Sequence, residues 1–335
     1  MPGSQKTPTI YDVAKRAGVS IATVSRMLNA PDKVSHESRE RIMEAIDALG
    51  FVPKAEARAR ALSLTSRIGV VTPFFTAPSF VQRLRGIAAA LSSENYELVI
   101  YTVDSLNRMG EYLSSIPFTG NLDGIILVSL PVDEKEVQRL LDHGLQVVLI
   151  EFSHPDLNCI EINDFHGGEM AANHLIRKGH RQVAFIGDIE PQDFSIHPTR
   201  SRLAGYQKAL QEAGLGLSEE YIRLVTNDSE HVMQAARTLL NLPNPPTAIF
   251  AAADLQALSI IKEARELGVE IPTQLAVVGF DDIDFAEYAD LTTIRQHLDE
   301  SGRLAVEILL AHIVDPNRPP QHVNLPLVFV QRQTT

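Results

Sequence analysis

The chain contains no tryptophan and a single cysteine, Cys159, among its 335 residues. One cysteine excludes an internal disulfide and any cysteine-rich metal centre, and suits a reducing compartment. Cys159 is expected as a small core residue rather than a nucleophile. Without tryptophan, any stacking on a ligand falls to phenylalanine and tyrosine. No apolar run approaches the length needed to span a bilayer, and the opening stretch MPGSQKTPTIYDV lacks the apolar core of a secretory signal, so the expected location is the cytoplasm. Enzymatic devices are missing too: no G-x-S-x-G elbow, P-loop or G-x-G-x-x-G follows a strand-like run, and the eleven histidines form no H-E-x-x-H. No catalytic residue, metal or cofactor is expected. What is present is an ordinary globular composition, 44% hydrophobic and 21% charged, long enough for two or three domains.

The net charge of −12 argues at first against a polyanionic partner, but the average hides an asymmetry. Residues 1–67 hold eleven Lys/Arg against seven Asp/Glu, a net of +4, and the remainder carries −16. A basic head on an acidic body points to a polyanion for the head alone. The local pattern agrees. Thr9 to Asp12 reads as a capping box opening a helix over Ile10–Ala17, with Val13, Ala14 and Ala17 on one face and Gly18 as the stop. Ser20 caps a second helix, Ile21–Leu28, with Val24 and Leu28 inward. A third, capped by Ser35, places Ile42, Ala45, Ile46 and Leu49 at helical spacing and ends at Gly50. Two helices joined by a three-residue turn beginning with glycine form a helix-turn-helix. Its second helix enters the major groove N-terminus first. Ile21 and Ala22 would meet thymine methyls there, Arg26 offers a bidentate donor for guanine, and Ser20, Thr23, Ser25 and Asn29 suit phosphates. Thr9 and Tyr11 complete the candidate DNA-facing set. The alternative is a three-helix bundle for protein contacts, which the small, polar and basic exposed residues disfavour.

The run TIYDVAKRAGVSIATVSRMLNAPDKVSHESRERIMEAIDALGFVP resembles the DNA-binding head of the LacI family of bacterial regulators. That resemblance implies a hinge after Pro53 that folds on operator DNA and wedges a leucine into the minor groove. By that count Lys54 replaces the usual Asn, Ala57 faces the groove, and Arg60 stands at the wedge position. Either Arg60 reads a narrow groove by charge, or the kink is shallower. The implied division is a head over 1–52, a hinge over 53–66 and an effector-binding and dimerisation body over 67–335.

From Ile68 the pattern alternates between strand-like runs (68–73, 96–103, 124–130, 146–152, 182–188, 248–254 and 276–282) and amphipathic helices, as parallel sheets covered by helices require. Two such units in tandem read as two doubly wound lobes, with ligands bound beyond the C-terminal ends of the strands. NHLIRKGHRQVAFIGD, RSRLAGYQKAL, VVGFDD and LTTIRQ resemble the effector domain of the same family, which is built like periplasmic sugar-binding proteins. The resemblance implies three crossovers and lobes of about 67–162 plus 296–318 and 165–292 plus 322–331.

Candidate effector contacts are polar groups at strand ends. Asp281 leads, as a bidentate acceptor for a diol or ring N–H. Arg202 matches the family arginine that clamps the ligand. Asp254 stands where the family often has Asn-Asp, and with Ala253 in place of the Asn one ligand hydrogen bond is missing. Phe74, Phe75 and Phe80 offer stacking faces, and Glu151, Asn163 and Asp228 are further candidates. Each acidic residue has a plainer reading as a helix cap or ion pair. The function expected is a repressor whose operator affinity is set by a sugar or related polyol, acting as a homodimer. A nucleoside or purine effector is the alternative. A sugar-processing enzyme on a doubly wound fold is the distant one, and a free-standing solute-binding protein fails on the DNA-binding head.

Overall fold

A computed structural model describes residues 8–29, 33–49, 51, 65–189 and 193–335. The chain divides into two compact units. The first takes in the described part of Met1–Phe74 with Ala88–Cys159 and Ala305–Gln321, the second Phe75–Ile87, Ile160–Leu304 and His322–Thr335.

The head is helical: α1 (Ile10–Ala17), α2 (Ile21–Asn29) and α3 (His36–Leu49). Its core is the expected set, with Val13, Val24, Ile42 and Ile46 fully buried and Ala14, Ala17 and Leu28 beside them. Gly18 closes α1 in the left-handed region, φ 64°. Arg41 then donates to the carbonyls of Ala17 (2.6 Å) and Gly18 (3.1 Å), satisfying acceptors that the end of a helix leaves open.

The body is α/β. In the first unit β1 (Arg67–Pro73), β2 (Glu97–Val103), β3 (Gly124–Val128) and β4 (Gln146–Ile150) pair in parallel. With β5 (Asn158–Ile162) and a late strand, His322–Leu325, the sheet order is His322–Leu325, β5, β4, β3, β1, β2. Every residue of β3 is buried, because helices cover both faces and no position needs to be polar. The helices that follow β1, β2 and β3 are α4 (Pro78–Ser93), which is divided between the two units, α5 (Leu106–Thr119) and α6 (Glu134–Asp142). Helix α5 was not anticipated as a helix. Gly110 and Pro117 interrupt its pattern, yet Ser105 caps it at Arg108 N–H (3.2 Å), and Met109, Leu113 and Ile116 keep a buried face.

The second unit carries α7 (Asp164–Arg177), β6 (Val183–Asp188), α8 (Thr199–Glu212), β7 (Ile222–Val225), α9 (Ser229–Leu240), β8 (Ala248–Ala251), α10 (Asp254–Glu266) and β9 (Ala276–Val278). Its parallel sheet runs β7, β6, β8, β9. A short α11 (Asp284–Tyr288) precedes β10 (Thr293–Arg295), and α12 (Leu298–Val314) leads to β11 (the strand His322–Leu325) and β12 (Val328–Val330), which pairs antiparallel with β10. Helices α7 and α8 touch backbone to backbone. A Cβ on Gly168 would lie 1.9 Å from the Arg202 carbonyl, and one on Gly205 1.8 Å from that of Phe165. Only glycines permit this approach, and it brings Arg202 on α8 to Asp164 at the start of α7. Among the described residues, no helix is long and apolar enough to cross a membrane.

Candidate DNA-binding surface and effector site

The described DNA-facing candidates lie at the start of α1 and along α2. Ser20 Oγ accepts from Thr23 N–H (3.1 Å) and lies 2.7 Å from Thr23 Oγ1, so the first turn of α2 is pinned by its own hydroxyls. Within that turn Ile21 is 42% exposed and Ala22 is exposed, as is Arg26 one turn on, while Val24 points inward. Thr9 donates from its N–H (2.8 Å) and its hydroxyl (2.7 Å) to the Asp12 carboxylate, leaving Tyr11 exposed at the same end of α1. Ser25 is half-buried. Asn29 closes α2, and its side chain lies outside the described residues, as do the hinge candidates Lys54, Ala57 and Arg60.

In the second unit a run of charged side chains crosses the C-terminal side of the sheet. The buried Arg202 guanidinium donates through Nε to Asp164 Oδ1 (2.7 Å) and through Nη1 to the Ala252 carbonyl, lies 3.6 Å from the Phe280 ring centroid, and stands 3.8 Å from Asp281 Oδ1. A buried guanidinium is tolerable only with such company. Gln296 Nε2 donates to Asp281 Oδ1, and its own carbonyl accepts from the buried Arg83 (3.0 Å). Asp281 and Asp282 point apart, as adjacent residues at a strand end should. Asp282 pairs instead with Arg295 (2.6 Å) and Arg332 (2.7 Å).

Asp254 is fully buried beneath this run. It accepts from Ile283 N–H (2.9 Å) and the Thr293 hydroxyl (2.5 Å), and burial together with the Asp281 charge pushes its carboxyl well above the ordinary range. Asn163 and Asp228 cap α7 and α9. Asn163 accepts from His166 N–H (2.9 Å) and Asp228 from His231 N–H (3.0 Å); the Thr226 hydroxyl, His231 N–H and the His231 ring hold Asp228 down to about 2. Phe75 is exposed, and Phe80 sits with the Arg83 guanidinium 5.9 Å above its ring.

Backbone conformation marks the same strand ends. Asp281 has φ 115° and Asp282 φ 57°, just after β9. In the first unit Phe74 follows β1 at φ 45°, Ser129 follows β3 at φ 54° and Glu151 follows β4 at φ 68°. Residues with side chains enter this region at a cost of about 1–3 kcal/mol each, and such strain collects at ligand sites. Ser129 also donates its hydroxyl to the Glu151 carboxylate.

Residues 9–54 match the family model for bacterial regulatory proteins, lacI family, and residues 172–335 match a periplasmic binding protein-like domain. The repressor CytR of Escherichia coli K12 is 33% identical over 308 residues, covering 90% of this chain and 89% of its own. The E. coli K12 ribose operon repressor is 31% identical over 332 residues, covering 97% and 98%. The chain belongs to the LacI family. PurR of Erwinia tasmaniensis is 30% identical over 333 residues, covering 97% and 96%. Among solved structures, the complex of the regulator CelR with cellobiose superposes with a TM-score of 0.71 at 28% identity, covering 98% of this chain and all of that one. A LacI-family regulator from Enterococcus faecium with bound ribose gives 0.70 at 27%, covering 80% and 98%. This LacI-family protein is therefore a DNA-binding transcriptional regulator and not an enzyme.

Sequence reasoning on this regulator missed Gln296, Arg83 and Asp164. LTTIRQ was a recognisable stretch, and a glutamine at the end of that strand-like run was the available signal. It also missed the loop after β6, where Ser195 Oγ lies 3.2 Å from His197 Nε2 and His197 Nδ1 lies 4.0 Å from Asp188, itself fixed by the Thr199 hydroxyl. One further cluster, Glu134, His154 and Asp156, has metal-like composition. Asp156 N–H donates to His154 Nδ1 (3.2 Å), so the ring proton sits on Nε2, facing Glu134 (3.2 Å). Both ring nitrogens are thereby used within the fold, and no lone pair is left for a cation.

Proposed function

We propose that the chain is a homodimeric repressor that works in the cytoplasm and binds a near-palindromic operator through α2, releasing or tightening on it when a sugar or related polyol occupies the strand-end residues around Asp281 and Arg202. The observation that carries the effector assignment is the pairing of Asp281, in a left-handed conformation, with the buried Arg202 at 3.8 Å. That pair offers an anionic acceptor beside a fixed planar donor, and vicinal hydroxyls satisfy both at once. Asn163 and Phe75 belong to the same set of strand-end and helix-start positions in the second unit, and Glu151 is the candidate contact of the first. Asp254 supports the turn that aims Asp281. The exposed Phe75 ring favours a second reading, a nucleoside, whose ribose would take the carboxylate and whose base would stack.

The division into head (1–52), hinge (53–66) and body is part of this proposal. Two recognition helices in a dimer stand about 34 Å apart, one turn of duplex. Operator affinity then shifts by as much as the effector prefers one conformational state of the protein over the other. Calorimetry with ribose, cellobiose, nucleosides and purines identifies the class. Asp281→Ala should abolish binding of whichever ligand responds and leave operator affinity within threefold. Unchanged ligand affinity in that variant removes the assignment.

A further inference from the structure

Helix α3 has more buried surface than a helix-turn-helix needs. Ile42, Ala45, Ile46 and Leu49 face the head's own core, but Arg39, Met43 and Asp47 form a second stripe at i, i+4 and i+8. Both charged positions on that stripe pair with the body. Arg39 Nη2 lies 3.5 Å from Glu111 on α5, and Asp47 Oδ2 lies 2.8 Å from Arg139 Nη2 on α6. Between the two pairs Met43 is only 7% exposed. Phe118, at the C-terminal end of α5 and 1% exposed, packs into the same apolar cluster as Val13, Met27, Ile46 and Phe51 of the head, with the His143 ring edge-on at 4.2 Å.

The charges also encode an orientation. Arg39 and Asp47 are eight residues apart, about 12 Å along the helix. One is a head cation facing a body anion, the other the reverse. A head seated end for end would set Arg39 against Arg139 and Asp47 against Glu111, like facing like, so only one polarity of seating is favoured. In that seating the DNA-reading side stays uncovered, with Ile21, Ala22 and Arg26 exposed.

We propose that the 39–43–47 stripe is a docking face by which the head rides on α5 and α6 of its own chain, and that this docking positions α2 for the operator. The body then contributes to operator affinity by preorganising the head, because a head already oriented loses less freedom on binding. This inference rests on α2 being the DNA-reading helix, and the experiment separates the two ideas.

The full-length protein is prepared as wild type, Asp47→Arg, Arg139→Asp, the double exchange, and Arg26→Ala. Hydrogen exchange over residues 106–119 reports docking. Fluorescence anisotropy gives the ratio of affinities for a duplex selected by the wild-type protein and for a random duplex, which cancels the general effect of altered head charge. Each single exchange should cut protection over 106–119 at least fivefold and lower the affinity ratio about tenfold, and the double exchange should restore both to within threefold. Arg26→Ala should lower the ratio with protection unchanged, which tests α2 by itself. Equal protection in wild type and single exchanges, or a double exchange no better than the singles, overturns the docking. Lost protection with an unchanged or raised affinity ratio overturns the positioning role.

Discussion

Replacing His174 by phenylalanine tests a buried-histidine account of acid sensitivity in the second unit. His174 lies on α7, stacked on Phe329 with ring centroids 4.3 Å apart, and its Nε2 meets the Thr335 hydroxyl at 2.8 Å. Burial, followed by the nearby charges of Lys178, Arg177 and His180, lowers its pKa from 6.5 to about 4. The folded state therefore prefers the neutral ring, and the unfolded chain takes up the proton first as pH falls. The stability this supplies is complete above pH 6.5 and is lost progressively as pH drops towards 4. With those two values, linkage takes away about 2 kcal/mol by pH 5 and approaches about 3 kcal/mol near pH 4. Urea unfolding at pH 7 and pH 5 measures the loss in the wild type. His174→Phe keeps the stacking surface and removes the titration, so its loss over the same interval should be smaller by about 2 kcal/mol. A ring that titrates near 6.5 in an NMR pH series, or identical pH dependence in the two proteins, refutes the account.

Two further outcomes are expected on the head. Arg26→Ala should lower affinity for a selected operator about tenfold to a hundredfold and relax preference at the base pair it reads, while affinity for random duplex falls by less than threefold in anisotropy titrations. Gly18→Ala places a Cβ at φ 64°, 2.6 Å from the Arg41 guanidinium, and should destabilise the head by about 1–2 kcal/mol, seen as faster hydrogen exchange across α1 and α2 with exchange over β6 and β8 unchanged.

The head was legible almost residue by residue because local rules decide it. Ser20 and Ser35 mark helix starts, Gly18 marks a stop, and the apolar spacing of Val24 with Leu28 and of Ile42 with Ile46 leaves one way to fold the three helices. The body was legible in class and in most elements, with errors where a strand ends. The run 276–282 reads as one strand from its composition, yet the ladder stops at Val278. Beyond it the backbone turns through the left-handed Asp281 and Asp282, which no alternation of apolar residues announces. Helix α5 was lost to its own Gly110 and Pro117, since both residues argue against a helix locally and are outweighed only by the tertiary burial of Leu113 and Ile116.

The effector candidates divide along the same line between local and distant information. Asp281 could be named because it stands at the end of a recognisable strand-like run, and Arg202 because the stretch around it resembles the family's effector domain. Gln296 and Arg83, which complete the run of side chains, are 213 residues apart, and nothing in either neighbourhood points to the other. Their contact exists because the chain returns, after the second sheet is built, to lay β10 beside the turn at Asp281, where Asp281 N–H donates to the Ile294 carbonyl (2.9 Å). Residues that aim a carboxylate are thus harder to read than the carboxylate. Asp254 shows the consequence: its place at a strand end makes it a candidate contact, while its complete burial and its bonds to Ile283 N–H and the Thr293 hydroxyl, 29 and 39 residues away, could not be read from its neighbourhood.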